Sequence, residues 1–259
     1  MDLRLGGRRA VVTGGSRGIG LAVPRALAAE GADVALVARN RPALETAAAK
    51  LAADSGSRVI AVPADTGDDT SVTEMAHEVV GRLGGVDILV NAAARPNPGT
   101  IAEEDFEAEF NVKVRGYLRT ARAFTPLMRE QGWGRVINIG GVAARWTGSV
   151  VGSVRNVAVA AMSKNLADEL GPHGVNVVAV HPGPTRTEAS EQQLRALARA
   201  RGVSVEEAER LAASMVSIGR LVTAEEVADV VPFLASPRSV ALNGDPVLAS
   251  GGMSGPIHY

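Results

Sequence analysis

Three groups of residues in this chain have the types and spacing to do chemistry. The first is "TGGSRGIG", Thr13 to Gly20, where Gly14, Gly18 and Gly20 allow a tight turn and let backbone N–H groups approach an anion. Such a turn, following a strand and opening a helix, seats a pyrophosphate on the helix N-terminus, with Ser16, Arg17 and Ile19 around it. The second group lies about twenty residues further on, where an acid would receive a ribose 2′-hydroxyl. Here the chain has Arg39, followed by Asn40. Arg39 with Arg17 suits a 2′-phosphate through forked, charge-assisted contacts, so the pattern favours NADP(H) over NAD(H). The third group is "GSVVGSVRN", residues 148–156, at the start of a helical run. Ser149, Gly152, Ser153 and Asn156 are spaced to share one helix face. Either serine could hold a substrate oxygen and Asn156 a ribose hydroxyl, although a serine at a first turn equally caps free N–H groups. A serine hydroxyl orients or relays a proton but is a poor terminal acid.

The elements that must position these groups are legible in the patterning. Short β-branched runs ("RAVVTGG", "DVALVAR", "RVIAVPAD", "VDILVNAA", "GRVINIGG", "VNVVAVHPG") alternate with Ala/Leu-rich helical stretches at 18–30, 41–54, 68–84, up to about 130, 149–171 and 188–235. Apolar strands alternating with helices predict an α/β fold: a single-domain, doubly wound, Rossmann-like parallel sheet with helices on both faces. The charged helical segment 188–217 interrupts the last crossover and reads as an amphipathic helix pair or a cover over the substrate.

Composition narrows the class. With 259 residues, 46% of them hydrophobic, and no linker or repeat, one large domain is the simplest organisation. A formal net charge of −1 with interspersed signs gives no footprint for nucleic acid or an anionic membrane. No cysteine is present, so disulfides, thiolate metal sites and a cysteine nucleophile are excluded. His77, His173 and His258 show no metal spacing. With no signal-peptide pattern and no apolar run long enough to span a bilayer, the expected location is the cytoplasm and the expected partners are small molecules or copies of the chain itself.

Taken together these motifs resemble the short-chain dehydrogenase/reductase family, over about residues 5 to 252. The glycine turn is similar to that family's own; "PADT" supplies Asp65 and Thr66 beside the adenine, and "VNAAA" (Asn91, Ala92, Ala93) is similar to its Asn-Asn-Ala-Gly turn with two departures. "FNVKVRGYLRTARAFTPLM" carries the helix asparagine at Asn111, and "HPGPTRT" gives Pro182, Gly183, Thr185 and Thr187 facing the nicotinamide. The resemblance also implies a homodimer or homotetramer built on the helices of 111–130 and 149–171.

One part of the resemblance fails. The family holds the reacting oxygen with Ser and Tyr, and a Lys four residues after the Tyr stabilises the phenolate. Aligning "SKNLADEL" without a gap puts Gly152 at the Tyr position and Asn156 at the Lys position, with Gly140 or Gly141 for the Ser. Only Tyr117 and Tyr259, and Lys50, Lys113 and Lys164, occur in the chain, and none forms a Tyr-x-x-x-Lys pair. The substitutes are Asn111, Ser149, Ser153, Asn156 and His181, the last having a pKa suited to proton transfer. Arg155 reads as a surface arginine, Arg145 and Trp146 as pocket lining, Tyr117 as core or interface, and Tyr259 as a residue that could fold over a cleft. The expected function is an NADP(H)-dependent oxidoreductase on a carbonyl or alcohol, with a hydrophobic substrate and an atypical proton route. The alternatives are a cyclase, isomerase or dehydratase on the same fold, or an inactive binding or regulatory partner.

Overall fold

The computed structural model describes residues 1–95 and 102–255. Its first half alternates strand and helix: β1 (Arg9–Thr13), α1 (Gly18–Ala29), β2 (Asp33–Ala38), α2 (Arg41–Ser55), β3 (Val59–Pro63), α3 (Asp69–Leu83) and β4 (Ile88–Asn91). Helix α4 (Glu103–Phe110) runs through a π-helical turn, Asn111–Arg115, into α5 (Gly116–Glu130), followed by β5 (Gly134–Ile139), α6 (Val150–Leu170) and β6 (Val175–Pro182). The rest comprises β7 (Thr185–Arg186), α7 (Glu188–Arg201), α8 (Val205–Ala213), β8 (Val222–Thr223), α9 (Ala224–Ala228), α10 (Val230–Ala235) and β9 (Pro246–Ala249).

The main sheet has seven strands in the order β3-β2-β1-β4-β5-β6-β9, all parallel. β7 and β8 form a separate two-stranded ribbon. Because side chains alternate across a strand, the two faces build two cores. Ala10, Val12, Val34 and Leu36 face the side covered by α1, α2, α9 and α10. Val11, Ala35 and Val37 face Met75, Val79, Phe124 and Met128 of α3 and α5. Burial on both faces is why these strands read as continuous apolar runs. The order reverses between β1 and β4, and a sheet of this kind opens a crevice at the carboxyl ends of its strands there.

Several helices, α1 not among them, start on a capping side chain. Asn40 accepts from Ala43 N at 3.1 Å at the start of α2, and Asp68 accepts from Ser71 N at 2.7 Å at the start of α3. β9, from "PVLA", is short and opens on proline, and the sequence pattern did not distinguish it from loop.

Candidate active site

The crevice at the switch point is a cleft of about 890 Å3. Its outer half is built by the β1–α1 turn. Gly14 has φ 73°, and a Cβ there would stand 2.8 Å from the carbonyl oxygen of Ala92. A Cβ on Gly20 would overlap the Gly14 carbonyl. The turn thus presses backbone against backbone, as only glycine permits. Arg17, at the N-cap of α1, makes no side-chain capping bond, and the first turn contains no acid. The end of α1 therefore presents unpartnered N–H groups and positive potential to the cleft, which suits a pyrophosphate.

Of the residues expected to bind a dinucleotide, Ser16, Arg17, Gly18 and Ile19 line the turn, and Arg39, Asn40, Asp65 and Thr66 line the adenine side. Ala92 and Ala93 form the floor, and Pro182, Gly183, Thr185 and Thr187 the inner wall. Arg39 lies 3.8 Å from Asp65, both side chains largely exposed, so the guanidinium remains accessible to an incoming phosphate. Asn91 departs from its expected role. It is fully buried, donating to Asn138 Oδ1 at 2.9 Å and accepting from Thr120 Oγ1 at 2.7 Å, so its amide ties β4 to β5 and α5.

The inner half of the cleft corrects several expectations. Asn111 points to the adenine side: its Nδ2 donates to the Gly67 carbonyl at 3.0 Å and its Oδ1 accepts from Arg119 at 2.9 Å. The residues of that turn on the cleft wall are Val112 and Lys113. Ser149 caps α6, accepting from Gly152 N at 3.0 Å. Ser153 donates to the Trp146 carbonyl at 2.9 Å. Neither serine lies on the cleft wall, so the helix-capping role holds for Ser149 and a loop-pinning role for Ser153. Asn156 is buried one layer behind the wall. Its Nδ2 donates to Gly152 O at 2.8 Å within its own helix, and its Oδ1 has no partner among the described residues.

His181 is 1% exposed and accepts from Gly141 N at 2.9 Å through Nδ1, so the neutral ring carries its proton on Nε2. Burial, with the positive charges of Lys113 and Arg145 nearby, pushes its pKa down to about 4. It is neutral at physiological pH and cannot serve as a proton donor there. Instead it fills the space beside Gly140, where a Cβ would overlap the imidazole. Arg155 is no surface residue either: it lines the cleft and forms a buried ion pair with Glu109 of α4. Burial lowers its pKa, and Glu109 supplies the compensating charge.

Lys113 has no role legible in the sequence, because it lies outside any Tyr-x-x-x-Lys pattern. Its Nζ is buried, donates to the Gly140 carbonyl at 2.8 Å, and forms no ion pair among the described residues. Tyr117, one turn on, donates to the neighbouring Ile139 carbonyl at 3.0 Å. The chain therefore carries a lysine and a tyrosine four residues apart in the reverse order, on the π turn and α5 rather than on α6. Burial raises the Tyr117 pKa and keeps the phenol neutral, and the side chain belongs to the core. Tyr259 and His258 lie outside the described residues. Among the described residues no group of three or more His, Asp or Glu is placed to hold a metal, and no helix is long and apolar enough to cross a membrane.

A doubly wound sheet with a glycine turn and an uncapped helix end at its switch point defines a dinucleotide-binding α/β protein. Comparison with known proteins makes this specific. Residues 14–254 match the family described as Enoyl-(Acyl carrier protein) reductase. The chain is 34% identical over 247 residues to the short-chain reductase protein NovJ of Streptomyces niveus, covering 94% of this chain and 92% of that protein. It is 32% identical over 258 residues to D-beta-hydroxybutyrate dehydrogenase of Rhizobium meliloti, covering 95% and 98%. Among solved structures, L-sorbose reductase of Gluconobacter frateurii, complexed with NADPH and L-sorbose, superposes with a TM-score of 0.93 at 32% identity, covering 98% of each chain. The chain belongs to the short-chain dehydrogenase/reductase family, a family of oxidoreductases.

Proposed function

We propose that this protein is an NADP(H)-dependent reductase of a carbonyl compound, running without the family's usual phenol and ammonium on α6. What carries the reading is the outer half of the cleft. Its glycine turn, uncapped α1 and accessible Arg39 and Arg17 form a complete cradle for a dinucleotide bearing a 2′-phosphate. A protein that had ceased to use the nucleotide has no need for backbone packed so closely at Gly14 and Gly20. The NADPH in the related sorbose reductase supports the same choice of nucleotide.

Arg39 and Arg17 would hold the 2′-phosphate, the N-terminus of α1 the pyrophosphate, and Asp65 and Thr66 the adenine. When bound, the reduced nicotinamide supplies a hydride to the carbonyl carbon. The chain's own residues must then position the carbonyl, exclude water and protonate its oxygen. Positioning alone contributes several kcal/mol. Leu194 and Leu197 of α7, Ala212 just before the end of α8, and Leu221 give the cleft an apolar wall. The pair α7–α8 acts as the substrate cover: Thr187 approaches within 3.5 Å of the Cβ position of Gly18, and Arg186 pairs with Glu209. An apolar wall beside Lys113 and the Glu109–Arg155 pair suits a hydrophobic ketone or enone of moderate size.

Calorimetry with purified protein tests the cradle. NADPH is expected to bind much more tightly than NADH, and Arg39→Ala to weaken NADPH by about tenfold or more, the loss of one charge-assisted contact. NADH should be unaffected by the substitution. Equal affinity for both nucleotides, unchanged in Arg39→Ala, contradicts the reading. A cyclase, isomerase or dehydratase would instead convert substrate with no change in NADPH absorbance, and an inactive partner would bind NADPH and convert nothing.

A further inference from the structure

Resting on the reductase reading above, we propose that the Lys113 ammonium hands the proton to the substrate oxygen in this chain. The geometry assigns it. Lys113 sits on a π-helical turn, a helical irregularity common at functional sites, and is the charged residue of that turn on the cleft wall, beside Val112. Its Nζ reaches the end of β5, where the cleft is walled by Ile139, Gly140 and Pro182. An ammonium has three N–H donors, and the Gly140 carbonyl takes one. No carboxylate pairs with it among the described residues, so its charge is left to interact with whatever enters the cleft. Other groups are committed elsewhere. Ser149 and Ser153 bond to backbone, His181 accepts from Gly141, Arg155 pairs with Glu109, and Tyr117 is sealed behind the Ile139 carbonyl.

The step balances. As the carbonyl carbon gains its hydride, the oxygen becomes an alkoxide; one N–H bond of Lys113 breaks, an O–H bond forms, and the alcohol leaves. The neutral amine recovers a proton from water through the open cleft. Burial brings the Lys113 pKa down to about 8, where an ammonium is both populated and a competent acid near neutrality. The charged and titratable groups around it are His181 on β6, Arg145 in the loop after β5, and the Glu109–Arg155 pair bridging α4 and α6. Of these His181 is neutral and the ion pair carries no net charge, leaving Lys113 as the group that titrates near neutrality.

The chain has three lysines, so 13C-lysine labelling gives three side-chain signals, and Lys113→Gln assigns one. Titration of the apo protein should show that signal with a midpoint near 8, while Lys164, held by Asp168, titrates above the ordinary lysine value. In turnover with NADPH, Lys113→Gln and Lys113→Met should lower kcat by about 10²–10⁴-fold with NADPH affinity retained, which also reports that the variants fold. Lys113→Arg keeps the charge but gives up no proton near neutrality, and should stay at least tenfold down. Wild-type kcat should fall above the Lys113 midpoint, and that limb should vanish in Lys113→Gln. Wild-type turnover that Lys113→Gln leaves unchanged, or a Lys113 midpoint at the ordinary lysine value, overturns the assignment while sparing the reductase reading. Absence of NADPH oxidation by the wild type with every carbonyl tested overturns both.

Discussion

Lys113 is a buried cation with no counter-ion among the described residues, an arrangement that costs stability and persists where function requires it. Its folded pKa, about 8, lies below the ordinary 10.5, so folding favours the neutral amine and the charged form is the strained one at pH 7. Lys113→Met is therefore expected to raise the melting temperature at pH 7, by several degrees, while it removes turnover. Thermal denaturation checks this, and a lowered melting temperature would make Lys113 a structural residue instead. Gly140, one of the two candidates for the family's serine position, has no room for a side chain: its Cβ would enter the His181 ring, so glycine and histidine are fitted to one another. At this scale the sequence was most informative where backbone geometry dictates residue type, as at Gly14 and Gly20. It was least informative where a side chain's direction decides its role. Asn111 and Lys113 are two residues apart, and only the three-dimensional course of the π turn shows that the second enters the cleft. Likewise Arg155 looks like a surface residue until Glu109 is brought beside it from a different helix.

The strands and most helices of the Rossmann-like sheet were legible because each carries its own periodicity and several, such as α2 and α3, their own caps. The helix expected over 149–171 is α6, Val150–Leu170, capped by Ser149. β9 and the two-residue strands β7 and β8 were not, since they are too short to show alternation and owe their pairing to strands far along the chain. Between elements, Asp87 anchors the start of β4 to β1 through Arg9, with bonds of 2.7 Å to Nε and 2.9 Å to the backbone N–H. Burial raises the Asp87 pKa, but the bonds from Arg9 and the charges of Arg9 and Arg8 outweigh it and leave the net value lowered. A carboxylate with a depressed folded pKa stabilises the fold above its unfolded value, 3.8, and that contribution is lost as pH falls below it. The neutral, buried His181 acts earlier: between 6.5 and about 4 the unfolded chain takes up the proton that the fold refuses, so stability already declines there. Denaturant titrations across pH should show a two-stage acid loss. His181→Gln should flatten the upper stage and Asp87→Asn the lower, with Asp87→Asn also costing about 2 kcal/mol at pH 7 for the charge-assisted bonds to Arg9 that it weakens. A single loss confined below pH 4, identical in all three proteins, would contradict this assignment.

Across the whole molecule, α6 leaves Val150, Val154 and Val157 exposed at 62%, 43% and 50%, spaced four and three apart on one helix face. An apolar stripe of this kind on the helix that also carries Gly152 and Asn156 fits the homo-oligomer proposed from the family resemblance. Light scattering should find a dimer or tetramer that Val154→Glu with Val157→Glu converts to monomer; a wild-type monomer at all concentrations would contradict it. The central proposal is hydride transfer in a cleft where Lys113 takes the place of the family's usual phenol as the acid. Its most direct test is transfer of label: turnover of ketones and enones with NADPH deuterated at the reactive position of the nicotinamide, followed by mass spectrometry of the product. The account predicts one deuterium on the former carbonyl or enone carbon, matched mole for mole by NADP+. Product that forms without deuterium, or NADPH that binds and is never oxidised by any member of the panel, would contradict it.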